Sequence, residues 1–135
     1  MICSLYLVKS DGTEVMPDYI MNFTFEKDAY TPYTRLSAKF LNKSNAFPED
    51  CYGVKLRLNG KLLHFGVTDT YSIAKTSNCR IGTISSRGYT SMLLENQMPP
   101  GLYTSMTINK LFNSFSAVPN ITYEQNNDLS YIYVK

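Results

Sequence analysis

Apolar and polar residues alternate with a period of two through the first 85 positions, in short runs broken by turn signals. "CSLYLV" (3–8) opens the series and ends at the Asp11-Gly12 pair. "YIMNFTFEK" (19–27) places Tyr19, Met21, Phe23 and Phe25 on one face and Asn22, Thr24 and Glu26 on the other. "YTRLSAKFL" (33–41) sets Leu36, Ala38 and Phe40 against Arg35, Ser37 and Lys39. Successive strand side chains point to opposite faces, so each run predicts a strand with one buried side. A polar, Pro-bearing loop, "NKSNAFPEDCY" (42–52), follows.

The sharpest local prediction lies in "LRLNGKLLHF" (56–65), where an Asn-Gly pair separates two alternating runs. That pair signals a two-residue type I′ hairpin turn. It would oppose Leu58 to Lys61, Leu56 to Leu63 and Val54 to Phe65. Val54, Leu56, Leu58, Leu63 and Phe65 then share one face, and Lys55, Arg57, Leu62 and His64 the other. The second arm continues through "GVTDTYSI" (66–73), with Gly66 as a bend or bulge and Asp69 as a bulge or turn residue. "CRIGTIS" (79–85) closes a series of about six short strands, which predicts a small closed antiparallel barrel or sandwich.

At Ser85 or Ser86 the period becomes helical. "SSRGYTSMLLENQ" offers a serine N-cap, then Tyr89, Met92 and Leu93, and stops before "MPPG". In "TSMTINKLFNSFSAV" Thr107 is the cap candidate, and Ile108, Leu111, Phe112 and Phe115 recur at helical spacing. "PNITYE" and "LSYIYVK" read as short strands. The expected class is therefore α+β: a barrel domain over 1–85, and over 86–135 two helices with short C-terminal strands, the start of a second domain. A chain stopping on "YIYVK" is expected to be the N-terminal portion of a longer protein.

Composition narrows the functions open to such a fold. Thirteen Lys and Arg against eleven Asp and Glu give a net charge of +2, too little to drive binding to nucleic acid or anionic lipid. No run is long enough for a transmembrane helix, and the N-terminus lacks the basic lead and cleavage site of a signal peptide. Cys3, Cys51 and Cys79 match no metal-ligand spacing and no disulfide framework, so reduced thiols are expected, with Cys79 a candidate buried strand residue. Eleven Tyr and seven Phe favour strands and partner surfaces.

Catalytic chemistry finds little to work with. His64 is the sole histidine, expected on a strand surface beside Lys55. A dyad with Cys51 or Cys79 would define a Cys-dependent hydrolase, but no nucleophile elbow or oxyanion motif accompanies it. Glu49 and Asp50 are adjacent in a loop and cannot oppose each other as an acid/base pair, and the glycines form no phosphate cradle. No catalytic residue, cofactor or metal is assigned. An OB-like barrel binding single-stranded nucleic acid or another ligand is the alternative. It would need exposed aromatics interleaved with cations, whereas Phe23, Phe25 and Phe40 fall on the core side.

The strands followed by "TISSRGYTSMLLENQ" and then "YTSMTINKLFNSFSAVPNITYE" resemble the baseplate hub proteins of phage tails and phage-derived contractile particles. These are the Mu-like hub and its relatives in defective prophages and tailocins. "PYTRLSAKFL" and "VKLRLNGKLLHFGVTDTYSIAK" are similar to the family's second and middle barrel strands. The resemblance implies a tail-tube-like barrel and a non-enzymatic virion structural subunit, assembled in the bacterial cytoplasm and residing in the tail. Its partners would be tube, spike and baseplate wedge proteins. It also implies a ring, commonly a trimer, joining tube to spike through barrel–barrel packing, with neither membrane nor nucleic acid as partner. In such a ring, strand edges and Arg35, Lys39, Lys55 and Arg57 are the candidate interface.

Overall fold

Among the described residues there are seven strands: β1 (Cys3–Val8), β2 (Glu14–Val15), which no alternating run announced, β3 (Tyr19–Glu26), β4 (Arg35–Asn42), β5 (Gly53–Leu58), β6 (Lys61–Lys75) and β7 (Arg80–Gly88). Among the described residues two short helices follow, α1 (Ser91–Glu95) and α2 (Ile108–Phe115). The computed structural model describes residues 1–43, 48–95 and 105–115. The chain divides into two units, Met1–Gly88 and Tyr89–Lys135. Both "PNITYE" and "LSYIYVK" lie outside the described residues.

The strands form one antiparallel sheet in the order β2-β1-β5-β6-β7-β4-β3. The edge strands β2 and β3 are consecutive in sequence, joined only by Met16, Pro17 and Asp18. Laid flat at about 4.8 Å per strand, the sheet would hold them roughly 29 Å apart. The link from Val15 to Tyr19 can reach at most about 14 Å. The sheet must therefore roll, and its concave side becomes the core. Leu5 and Leu7 of β1, Leu36, Ala38 and Phe40 of β4, Val54 and Leu56 of β5, and Ile84 of β7 are all buried there.

The roll does not close, which corrects the expected barrel. Among the described residues β2 pairs with β1 only at Leu7 and Val8, and β3 pairs with β4 alone. Three local features oppose closure. β2 is two residues long, Pro17 brings no N–H to a ladder, and Met21 is an extra, unpaired residue between Ile20 and Asn22. A bulge twists an edge away from further pairing. Between the edges lies an open cleft of about 600 Å³, lined from β1 by Cys3–Leu5 and from β3 by Tyr19–Phe23.

The Met21 bulge also corrects the face assignment of β3. Ile20, Phe23 and Phe25 stand opposite Phe40, Ala38 and Leu36 and pack against the core, while Tyr19 and Met21 are exposed.

The Asn59-Gly60 hairpin forms with both turn residues at positive φ, 49° and 80°. Leu58 opposes Lys61 as expected, but the register then slips by one residue. Arg57 still opposes Leu62 in the turn register, but Leu56 opposes His64 and Val54 opposes Gly66, leaving Leu63 as a bulge. A one-residue slip exchanges the two faces of a strand. His64 therefore turns into the core and Phe65 turns out, the reverse of the simple turn register. Asp69 is a bulge as expected, unpaired between Thr68 and Thr70.

β7 runs on to Gly88, beyond Ser85, so the serines at 85 and 86 belong to the sheet rather than to a helix cap. Gly88 N–H bonds the Thr34 carbonyl at 2.8 Å, extending the ladder. Thr107 caps α2 as expected: its Oγ1 accepts from Lys110 N at 3.2 Å and its carbonyl from Leu111 N at 2.9 Å.

Candidate interface and the buried histidine

Alternation on β4 and β5 places all four candidate cations on the convex face. On β4, Arg35 and Lys39 flank the buried Leu36 and Ala38 and are exposed. On β5, Lys55 and Arg57 flank the buried Leu56 and are half-buried. β6 and β7 lie between these strands, so the four residues form two separate pairs rather than one patch.

Their partners differ as well. Arg35 donates from Nη2 to Tyr33 Oη at 3.4 Å, and its guanidinium lies 5.6 Å from that ring centroid. It borders a cleft of about 380 Å³ that includes Glu26, Asp69 and Arg87. There the bulged Asp69 accepts from Arg87 Nε at 3.0 and 2.9 Å and from Nη2 at 2.8 Å, a two-pronged pair. Lys39 stands between Asn22 and Thr83 on the neighbouring strands. Lys55 is ion-paired with Glu14, and its ammonium sits 4.7 Å from the Phe65 ring centroid. Arg57 Nη1 donates to the Gly60 carbonyl at 3.2 Å. The β5 pair is thus held by its own hairpin and by β2, while the β4 pair is the more available.

His64 lies elsewhere than expected, 1% exposed on the concave side. Ser86 Oγ donates its single proton to the Val67 carbonyl at 2.7 Å. The contact of His64 Nε2 with Ser86 Oγ at 2.9 Å must then run from ring N–H to hydroxyl oxygen. Nδ1 is left as the acceptor for Thr34 Oγ1 at 2.7 Å. Burial lowers the His64 pKa to about 4, so the ring is neutral at pH 7.

A serine nucleophile would have to give its proton to the imidazole; in this network the imidazole gives its proton to the serine. Nor is either cysteine the partner of His64. Cys51 Sγ contacts the Gly53 carbonyl at 3.3 Å and Thr68 Oγ1 at 3.7 Å, and Cys79 contacts Thr76 in the β6–β7 turn. Cys79 is half-buried rather than fully buried. Burial also pushes the Cys51 thiol up, the direction opposite to an activated nucleophile. The Thr34–His64–Ser86 trio is a satisfied polar insert that ties together the start of β4, β6 and β7. No sequence motif marks it, since its members lie 30 and 22 residues apart and meet only because Leu63 bulges.

No family model matches this chain, and no curated protein matches it in sequence. Its fold does match solved structures. A tail protein from Neisseria meningitidis MC58 superposes with a TM-score of 0.60 at 13% identity, over 87% of this chain and 34% of that one. A 43 kDa tail protein of prophage MuSo2 from Shewanella oneidensis superposes at 0.63 and 13% identity, over 84% of this chain and 38% of its own. The chain thus spans little more than a third of either neighbour, and it shares their fold.

Proposed function

We propose that this chain is a structural, non-enzymatic subunit of a phage or phage-like tail, and more specifically part of the baseplate hub that joins tail tube to spike. The observation carrying this reading is the shared fold with two tail proteins across 84–87% of the chain. In this reading the incompletely rolled sheet is a building block whose edges and convex face are covered by neighbours. A strand edge left bare invites pairing with another chain, and a ring covers it. The Arg35 and Lys39 pair on β4 is the first candidate contact, with Lys55 and Arg57 supporting β5 and its hairpin. Tube, spike and wedge proteins are the partners, and a trimeric ring is the assembly.

The alternative, a nucleic-acid-binding barrel, meets a specific obstacle. Three outward rings already carry a cation over one face: Tyr33 by Arg35, Tyr19 by Lys43 and Phe65 by Lys55. A base would have to displace that cation to stack there.

Deleting the coding sequence from a particle-producing host is expected to abolish complete tails while heads still form; complete tails from the deletion strain would overturn the reading. The interface assignment is tested separately by Arg35→Glu with Lys39→Glu. This variant is expected to keep the wild-type unfolding midpoint and to fail in tail assembly, and normal assembly would remove the β4 pair from the interface.

A further inference from the structure

A second cation cluster sits at the far end of the sheet, apart from the four candidates. Lys75 ends β6, Arg80 begins β7, and the two are direct cross-strand partners. On its other side Arg80 opposes Asn42, the last residue of β4, and Lys43 follows. Lys43, Lys75 and Arg80 line a cleft of about 240 Å³ completed by the turn residues Thr76–Cys79, with no carboxylate in the lining among the described residues; outside it, Asp18 Oδ2 accepts from Lys43 N at 2.8 Å.

Two observations show that the cluster is incomplete by itself. Like charges directly opposite on a ladder repel, and neither ion pair among the described residues involves these three cations. In addition, Arg80 Nε is buried with no hydrogen-bond partner among the described residues. An unpaired buried donor is costly, and more so when the group is charged. The surroundings are well held. Thr76 Oγ1 bonds the Cys79 carbonyl at 2.9 Å and accepts from Cys79 N at 3.2 Å, fixing the turn. The Tyr19 ring holds the Lys43 ammonium at 5.3 Å.

We propose that this cleft is a carboxylate-binding site that receives an Asp or Glu side chain from an acidic segment of another protein. A carboxylate matches the planar guanidinium fork and would offset the repulsion among the three cations. The cleft is smaller than the roughly 300–1,000 Å³ typical of small-molecule pockets, which suits a single side chain. Single-stranded nucleic acid would call for a groove of cations with stacking rings along it, and this is one compact cluster. The site goes beyond the tail reading and does not depend on it.

The test is an NMR titration of the full 135-residue chain with hexaglutamate at low salt, with inorganic phosphate and a short oligothymidylate as parallel arms. Hexaglutamate is expected to shift the Lys43 and Thr76–Arg80 amides, to bind more tightly than either other anion, and to weaken as salt is added. Lys75→Glu, at an exposed position, should lower that affinity roughly fivefold or more, and Arg80→Gln should lower it as well. The proposal is overturned if those amides do not move, if Lys75→Glu binds as tightly as wild type, or if oligothymidylate or phosphate binds more tightly than hexaglutamate.

Discussion

Strands β4 and β3 lie side by side, eight residues each, and differ in what flanks them. β4 has β7 on one side and β3 on the other, and its ladder with β7 runs from Arg35 to Asn42 without a break. Its inward residues Leu36, Ala38 and Phe40 are all buried. Among the described residues β3 has a neighbour on one side only; it carries the Met21 bulge and leaves Phe23 and Phe25 half-buried. Alternation tells which way a side chain points; how deeply it is buried depends on a second neighbour. A central strand is therefore intolerant of change in its core positions, while an edge strand keeps latitude for contacts with other chains.

The hardest way to break the central region is Phe40→Ala. Phe40 is 0% exposed and lies against Gly82 of β7, where an added Cβ would come within 2.3 Å of the ring. Gly82 is small because the ring needs its backbone surface, so nothing beneath can refill the void. A loss of about 3–5 kcal/mol is expected from urea unfolding. A loss under about 1 kcal/mol would mean the centre of the sheet is no better packed than its edge.

Acid attacks the same region through His64. Its folded pKa, about 4, lies below the ordinary 6.5, so between those values the unfolded chain binds the proton that the folded chain excludes. Stability is then fully present above pH 6.5 and falls as the pH drops toward 4, by about 3 kcal/mol in all. Asp11, Asp28 and Asp50 act lower. Hydrogen bonds from Thr13, Thr31 and Ser10 hold them below the usual carboxylate range, so they lose their contribution only beneath that window. Urea midpoints measured from pH 7 to 4.5 should decline for the wild-type chain and stay nearly level for His64→Gln. Parallel declines would place the acid sensitivity elsewhere.

How much of this was legible in the sequence follows the same divide. The β1 run, the β4 alternation, the Asn59-Gly60 turn, the Asp69 bulge and the Thr107 cap are set by local periodicity or turn chemistry, and each stands where the pattern puts it. The errors come from two bulges. Leu63 and Met21 each insert one residue that no propensity signals: beyond Leu63 the faces of His64 and Phe65 reverse, and at Met21 the expected core residues Tyr19 and Met21 turn out while Phe23 and Phe25 stay in. His64 moved from surface to core for that reason alone. The open seam was hidden for a different reason: seven strands joined by short links suggest a cylinder, and closure turns on the two-residue β2, the adjacent Pro17 and the bulged β3. Of the candidate site, the outward placement of Arg35, Lys39, Lys55 and Arg57 was readable from alternation, but their separation across β6 and β7 required the strand order.

The mildest change tests the edge side of the comparison. Met21 is the bulged residue of β3, 50% exposed and bordering the open cleft with Cys3–Leu5. Met21→Lys removes little buried area and adds a charge of the kind that commonly guards free strand edges. Stability should therefore change by less than about 0.5 kcal/mol, within the range of ordinary surface substitutions. Ala38→Lys, on the adjacent strand and 2% exposed, should be far more damaging because its ammonium would enter the core without a partner. If Met21→Lys instead lost more than about 1 kcal/mol, the seam would be packed in solution. If stability held while the variant lost binding to another chain, Met21 would have a role that only a neighbouring chain can reveal, which is what an edge strand left half-covered should produce.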